Sequence, residues 1–159
     1  MRKSSTALAA MVFSLSMASA QARPDFAGKW LFEVERTKAA NLTAGAWAEG
    51  VSLASAFTLS LSGNLLTRVT EGKAGSTTVS YKLDDSEQTV TTPQGEAKAR
   101  AKREGAKIVI VTVRQTANGP VRSVSEYSVD GDTLVVTTTA PPPGGGNPVT
   151  NTLYYRRAS

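Results

Sequence analysis

The chain has 159 residues, 18 Lys and Arg against 13 Asp and Glu, a formal net charge of +5, and neither Cys nor His. Without Cys there are no disulfides and no thiolate chemistry; without His the commonest general base and the commonest transition-metal ligand are both gone. The basic excess is mild for a nucleic-acid footprint, so no cofactor, no metal and no nucleic-acid partner are expected.

Met1-Arg2-Lys3 is a basic start, Ala7 to Met17 is apolar and uncharged, and Ala18-Ser19-Ala20 is a small-x-small cleavage site, with Ala20-Gln21-Ala22 a second choice. These are the three parts of a secretory signal peptide over residues 1–20, cut after Ala20 or Ala22. Its apolar run is too short to anchor in a bilayer, and no later run is long enough for a transmembrane segment. The expected product is a single soluble domain over residues 24–158, periplasmic or secreted from a bacterium.

Asp25-Phe26-Ala27-Gly28-Lys29-Trp30 opens the first strand, in which Trp30, Phe32 and Val34 alternate with Leu31, Glu33 and Glu35 and so share one buried face. Residues 37–52 break the alternation. They are alanine-rich, with Leu42 and Trp47 as the large apolar groups, and read as one or two helical turns or a structured loop, either a lid or a plain connector. Phe57, Leu59 and Leu61 then alternate with polar residues, Gly63-Asn64 turns, and Leu65 to Thr70 returns. Further strands follow over Val79 to Leu83 and Gln88 to Thr92, the latter stopped by Pro93-Gln94-Gly95.

Glu96 to Arg103 is rich in helix formers, yet Ala97, Ala99 and Ala101 alternate strictly with Lys98, Arg100 and Lys102. Period two favours a strand with three small side chains pointing inward, where they leave empty volume. The β-branched run Ile108 to Val113, Val121 to Val129, Leu134 to Thr139 after Asp130-Gly131-Asp132, and Val149 to Arg157 after a Pro/Gly-rich loop complete the set. The fold class is all-β: one antiparallel up-and-down barrel of about eight to ten strands, since closure removes exposed edges.

The order Asp25-Phe26-x-Gly28-x-Trp30, then hairpins, then Tyr127 to Leu134 and Tyr154-Tyr155-Arg156-Arg157 resembles the bacterial secreted lipocalin-like (calycin-type) barrel domains. In that family the first-strand Trp closes one end of the barrel and an Arg from a terminal strand stacks across it. The resemblance therefore implies barrel closure by Gly28, Trp30 and Arg157. Arg157 rather than Arg156 shares parity with Leu153 and Tyr155, the more apolar face of the last strand.

A cavity would be lined by the apolar parity of each strand: Phe32, Val34, Phe57, Leu59, Ala97, Ala99 and Leu134. Among the same positions Tyr81, Tyr127 and Tyr155 would offer polar tips to a hydrophobic or amphipathic guest. Phe32, Phe57, Tyr81, Tyr127 and Tyr155 are the candidate ligand contacts. Lys98, Arg100 and Lys102, continued by Arg103 and Lys107, form a basic stripe that either touches an anionic envelope surface or simply keeps the strand solvated. No catalytic residue is assigned. Two alternatives remain: a cofactor-independent isomerase, lyase or hydratase, for which a buried carboxylate or an inward Tyr–Arg pair would argue, and a structural or partner-binding envelope protein with a filled core.

Overall fold

The structure, a computed structural model, describes residues 24–42, 56–72, 75–142 and 145–159. The expected signal peptide, Trp47 and most of the 37–52 segment lie outside the described residues.

Ten strands follow one another: β1 (Gly28–Phe32), β2 (Ala56–Ser62), β3 (Leu65–Gly72), β4 (Gly75–Lys82), β5 (Gln88–Thr92), β6 (Gly95–Glu104), β7 (Lys107–Thr116), β8 (Gly119–Asp130), β9 (Thr133–Ala140) and β10 (Val149–Arg157). Among the described residues one helix, α1 (Val34–Leu42), lies between β1 and β2. All pairings are antiparallel, in the order β4-β3-β2-β1-β10-β9-β8-β7-β6-β5. Tight turns make this possible; at Asp130-Gly131-Asp132 the glycine takes φ 57°, a left-handed conformation that a two-residue hairpin needs and a Cβ disfavours. The sheet curls until β4 and β5, its two ends, come together as a nearly closed barrel.

The seam between those ends is stitched by side chains. Gln88 accepts from the Lys82 amide at 3.0 Å and donates to the Lys82 carbonyl at 3.2 Å, replacing one backbone rung. Just below, the Asp85 amide donates to the Ala101 carbonyl at 2.9 Å.

Register assigns the two faces. Leu66, Arg68 and Thr70 of β3 lie opposite Tyr81, Val79 and Thr77 of β4, and this parity continues inward through Ala97, Ala99 and Ala101 of β6 to Ile108, Ile110 and Thr112 of β7. The three alanines are buried, and the strand reading of this lysine- and arginine-rich segment holds against its helix propensity because period two places every apolar group on one face. Arg103 departs from the expected outer stripe: it continues the alanine parity, its guanidinium 5.7 Å from the Phe26 ring centre.

The first strand is shorter than its alternation suggests. It ends at Phe32, and Val34 begins α1, where it is 44% exposed and lines no cavity. Two apolar steps are too few to outweigh a helix-forming run, which Glu33–Arg36 and Glu35–Lys38 pairs at 3.3 and 3.8 Å support. α1 then serves as a surrogate strand. Where β1 stops, β10 continues, and its freed backbone is met by buried polar side chains of the helix. Thr37 Oγ1 accepts from the Tyr154 amide at 3.0 Å; Asn41 accepts from the Thr152 amide at 2.8 Å and donates to the Thr152 carbonyl at 2.7 Å.

Candidate ligand cavity

One end of the barrel is plugged. Trp30 is fully buried and its indole donates to the Phe26 carbonyl at 3.0 Å. The Arg157 guanidinium lies 4.4 Å from the Trp30 ring centre, donates to the Ala27 and Asp25 carbonyls, and sits 3.7 and 3.6 Å from the Asp25 and Asp132 carboxylates. Arg156 is exposed. Gly28, at φ +131°, runs under this guanidinium so closely that a Cβ would stand 2.8 Å from Nη1. Phe26, Ile108 and Leu134 pack around the plug.

The middle of the barrel is aromatic. Tyr155 meets Phe57 edge-on at 4.7 Å between ring centres and Phe32 at 5.3 Å. Phe57, Tyr81, Tyr127 and Tyr155 are buried, and Phe32 packs against them partly exposed. Burial pushes the Tyr81 and Tyr155 hydroxyls up to about 12, so both stay protonated.

Into this layer projects Arg68, which the residue patterns had not singled out. Its guanidinium lies 4.2 Å from the Phe57 ring centre, Nη1 donates to the Tyr127 hydroxyl at 3.3 Å, and Nε is buried without a hydrogen-bond partner. Burial works to lower the pKa of Arg68, but the phenol oxygens of Tyr127 and Tyr155 outweigh it and hold the group above its ordinary value. The signal that could have found it is parity: Arg68 falls between Leu66 and Thr70 on the face that alternation assigns to the interior.

Towards the other end the wall turns polar. Thr112 and Ser123 share a hydrogen bond of 2.7 Å, Ser125 and Thr138 one of 3.0 Å, and Asn151 Oδ1 is buried and unpartnered. A cavity of about 360 Å³ opens here, bounded by Ala97, Thr112, Arg114, Ser123, Thr138 and Ala140 among others. That is within the range of small-molecule sites. Ala97, at the seam side, keeps the volume open as small inward residues do.

On the outer face, Lys98 donates to Thr89 at 2.7 Å, Arg100 to the Asp85 carbonyl at 3.2 Å, and Lys102 pairs with Glu104 at 2.6 Å, so the basic stripe first serves its neighbouring strands and turns. Among the described residues no three acidic or sulfur ligands cluster as a metal site, and no helix is long and apolar enough to cross a membrane.

No protein-family model matches the chain, and no curated protein matches it. Solved structures do. The chain is similar to a fatty acid transporter, REP1-NXSQ, at 18% identity and TM-score 0.57, over 84% of this chain and 96% of that one. It is similar to a secretory abundant heat soluble protein from Ramazzottius varieornatus at 19% identity and TM-score 0.58, over 84% and 95%. A third likeness is to the zebrafish ileal bile acid-binding protein complexed with cholic acid, at 18% identity and TM-score 0.57, over 84% and 98%. Such identities speak for architecture alone, and that architecture is a ten-stranded antiparallel barrel of the lipocalin and fatty-acid-binding-protein type.

Proposed function

We propose that this chain is an exported barrel that binds a small amphipathic molecule in its interior without transforming it. The observation that carries this reading is the division of the interior. One end is sealed by Trp30 and Arg157, the middle is lined by Phe32, Phe57 and the tyrosines, and the far end opens into a cavity of about 360 Å³ with hydroxyls on its wall. A filled structural core would close that volume, because interiors pack to crystal-like density. The likeness to a fatty acid transporter and a bile acid-binding protein supports a hydrophobic or amphipathic guest. Export to a bacterial periplasm is supported by the basic, apolar and small-residue order of residues 1–22.

The inward Arg68–Tyr127 pair favours a second reading, a cofactor-independent isomerase, lyase or hydratase inside the barrel. Against it, the described inward positions carry no carboxylate, and Tyr81 and Tyr155, raised to about 12, are poor proton acceptors near neutrality. The test is native and denaturing mass spectrometry of the mature chain purified from the periplasm. A reproducible small molecule released only on denaturation is expected. A chain that is empty there, and takes up no lipid-like compound added afterwards, would overturn the binding reading.

A further inference from the structure

Resting on that binding reading, we propose that Asn151, with the Ser125–Thr138 hydroxyl pair beside it, forms a seat for an uncharged hydroxyl group, so that the guest is a hydrophobic alcohol. The seat is a row across three strands. Ser125 of β8 lies opposite Thr138 of β9, and Thr138 lies opposite Asn151 of β10. All three share the inward parity of the buried Tyr127, Val136 and Tyr155. Thr138 lines the cavity, and Val136 and Leu153, one inward step further along, separate the row from the aromatic layer. An apolar body can therefore lie on those two side chains while its polar end meets the row.

The hydrogen-bonding needs of the row define the guest. Asn151 Oδ1 is buried and has no donor, and a carbonyl oxygen taken from water without one is costly. The nearby amide of Asn41 is already taken up by Thr37 and Thr152. In the Ser125–Thr138 pair one hydroxyl donates to the other at 3.0 Å, which leaves the second proton to give. An acceptor that lacks a donor thus stands beside a hydroxyl with a proton unspent. A single guest hydroxyl answers both, donating to Asn151 Oδ1 and accepting from the pair. A carboxylate answers one alone, because its oxygens would face the Asn151 oxygen with no proton between them. An ammonium would enter an interior in which Arg68 and Arg114 point inward and the described strands turn no carboxylate towards it.

The experiment is a cycle between guest and protein, read by fluorescence titration of three pyrenes. These are 1-pyrenemethanol, its methyl ether, which accepts but cannot donate, and 1-methylpyrene, which does neither. Asn151→Leu should weaken binding of the alcohol roughly two- to tenfold and leave 1-methylpyrene as tight or tighter. The ether should behave as 1-methylpyrene does. Thr138→Val, a near-isosteric change on a strand, should weaken the alcohol by a smaller factor, and carries the cycle alone if Asn151→Leu does not fold. Because Asn151→Leu removes an unmet acceptor, it should melt at the same or a higher temperature than wild type. No selective loss of the alcohol at either variant would overturn the hydroxyl seat, make water the partner of Asn151, and leave a binding barrel standing. A preference for the ether that disappears in Asn151→Leu would also overturn it, by showing that the amide donates here. Binding of none of the three pyrenes would overturn both readings.

Discussion

At the scale of single residues, the plug is where sequence and energy meet most directly. Truncating a fully buried tryptophan removes its transfer energy and leaves a hole that the surrounding strands cannot close, so Trp30→Ala should destabilise by about 3–5 kcal/mol in denaturant melts. Near-wild-type stability would mean that Trp30 does not plug the barrel. Arg157→Ala should cost about 1.5–3 kcal/mol, because the Ala27 and Asp25 carbonyls lose a charged donor, whereas Arg156→Ala, on the exposed side, should stay within about 0.5 kcal/mol. The reverse order would mean that β10 presents its other face to Trp30. The buried phenols add a pH dependence. The folded Tyr81 and Tyr155 titrate near 12 against an ordinary 10.0, so between these values the unfolded chain releases protons that the folded one keeps. Their contribution, on the order of 3 kcal/mol each, is therefore complete below pH 10 and lost as pH rises towards 12. Urea midpoints that stay flat across this alkaline window would contradict their burial. Alternation places these tyrosines on the inner face, and by parity it places Arg68 there too, but a lone arginine in a strand is ordinarily read as solvent-facing and the residue type hides the signal.

At the scale of elements, α1 is the part whose role a pattern of apolar residues could not show. Its buried face is polar: Thr37 and Asn41 are nearly inaccessible, and their work is to satisfy β10 backbone rather than to fill a core. A helix docked in this way has no hydrophobic stripe to detect, and this is why alternation carries the strand through Val34 and the pattern breaks only at residue 37. Asn41→Ala should cost about 1–3 kcal/mol, since it leaves a half-buried amide and carbonyl at Thr152 without their partner. Amide exchange at Thr152 should accelerate far more than at strand centres such as Ile110, and equal protection of both would refute the surrogate-strand role. β6 is the opposite case. Its residue types spoke for helix and its order for strand, and order prevailed because an alternating segment buries all of its alanines only when extended.

At the scale of the whole molecule, hairpin turns and period two made the ten-stranded meander readable, but cavity position depends on which inward side chains are small or polar, and that needs the register of five neighbouring strands at once. The same register pairs the first strand with the last. β1 and β10 lie side by side in the middle of the sheet, with the Ala158 amide bonded to the Lys29 carbonyl, while the sequence neighbours β4 and β5 occupy its two ends. Spatial order is therefore sequence order cut at the seam and rejoined at the termini. A circular permutant that links residue 159 to residue 24 and opens between Ser86 and Glu87 would turn the barrel into a strictly local meander, each strand paired with the one just synthesised. The long-range ladder of β1 on β10 would become local, leaving the side-chain seam of β4 and β5, which has no continuous backbone ladder, as the end-to-end contact, and refolding followed by stopped-flow tryptophan fluorescence should be faster than in the native order. An unchanged rate would mean that the native chain nucleates within its hairpins and joins its ends only after the barrier has been crossed.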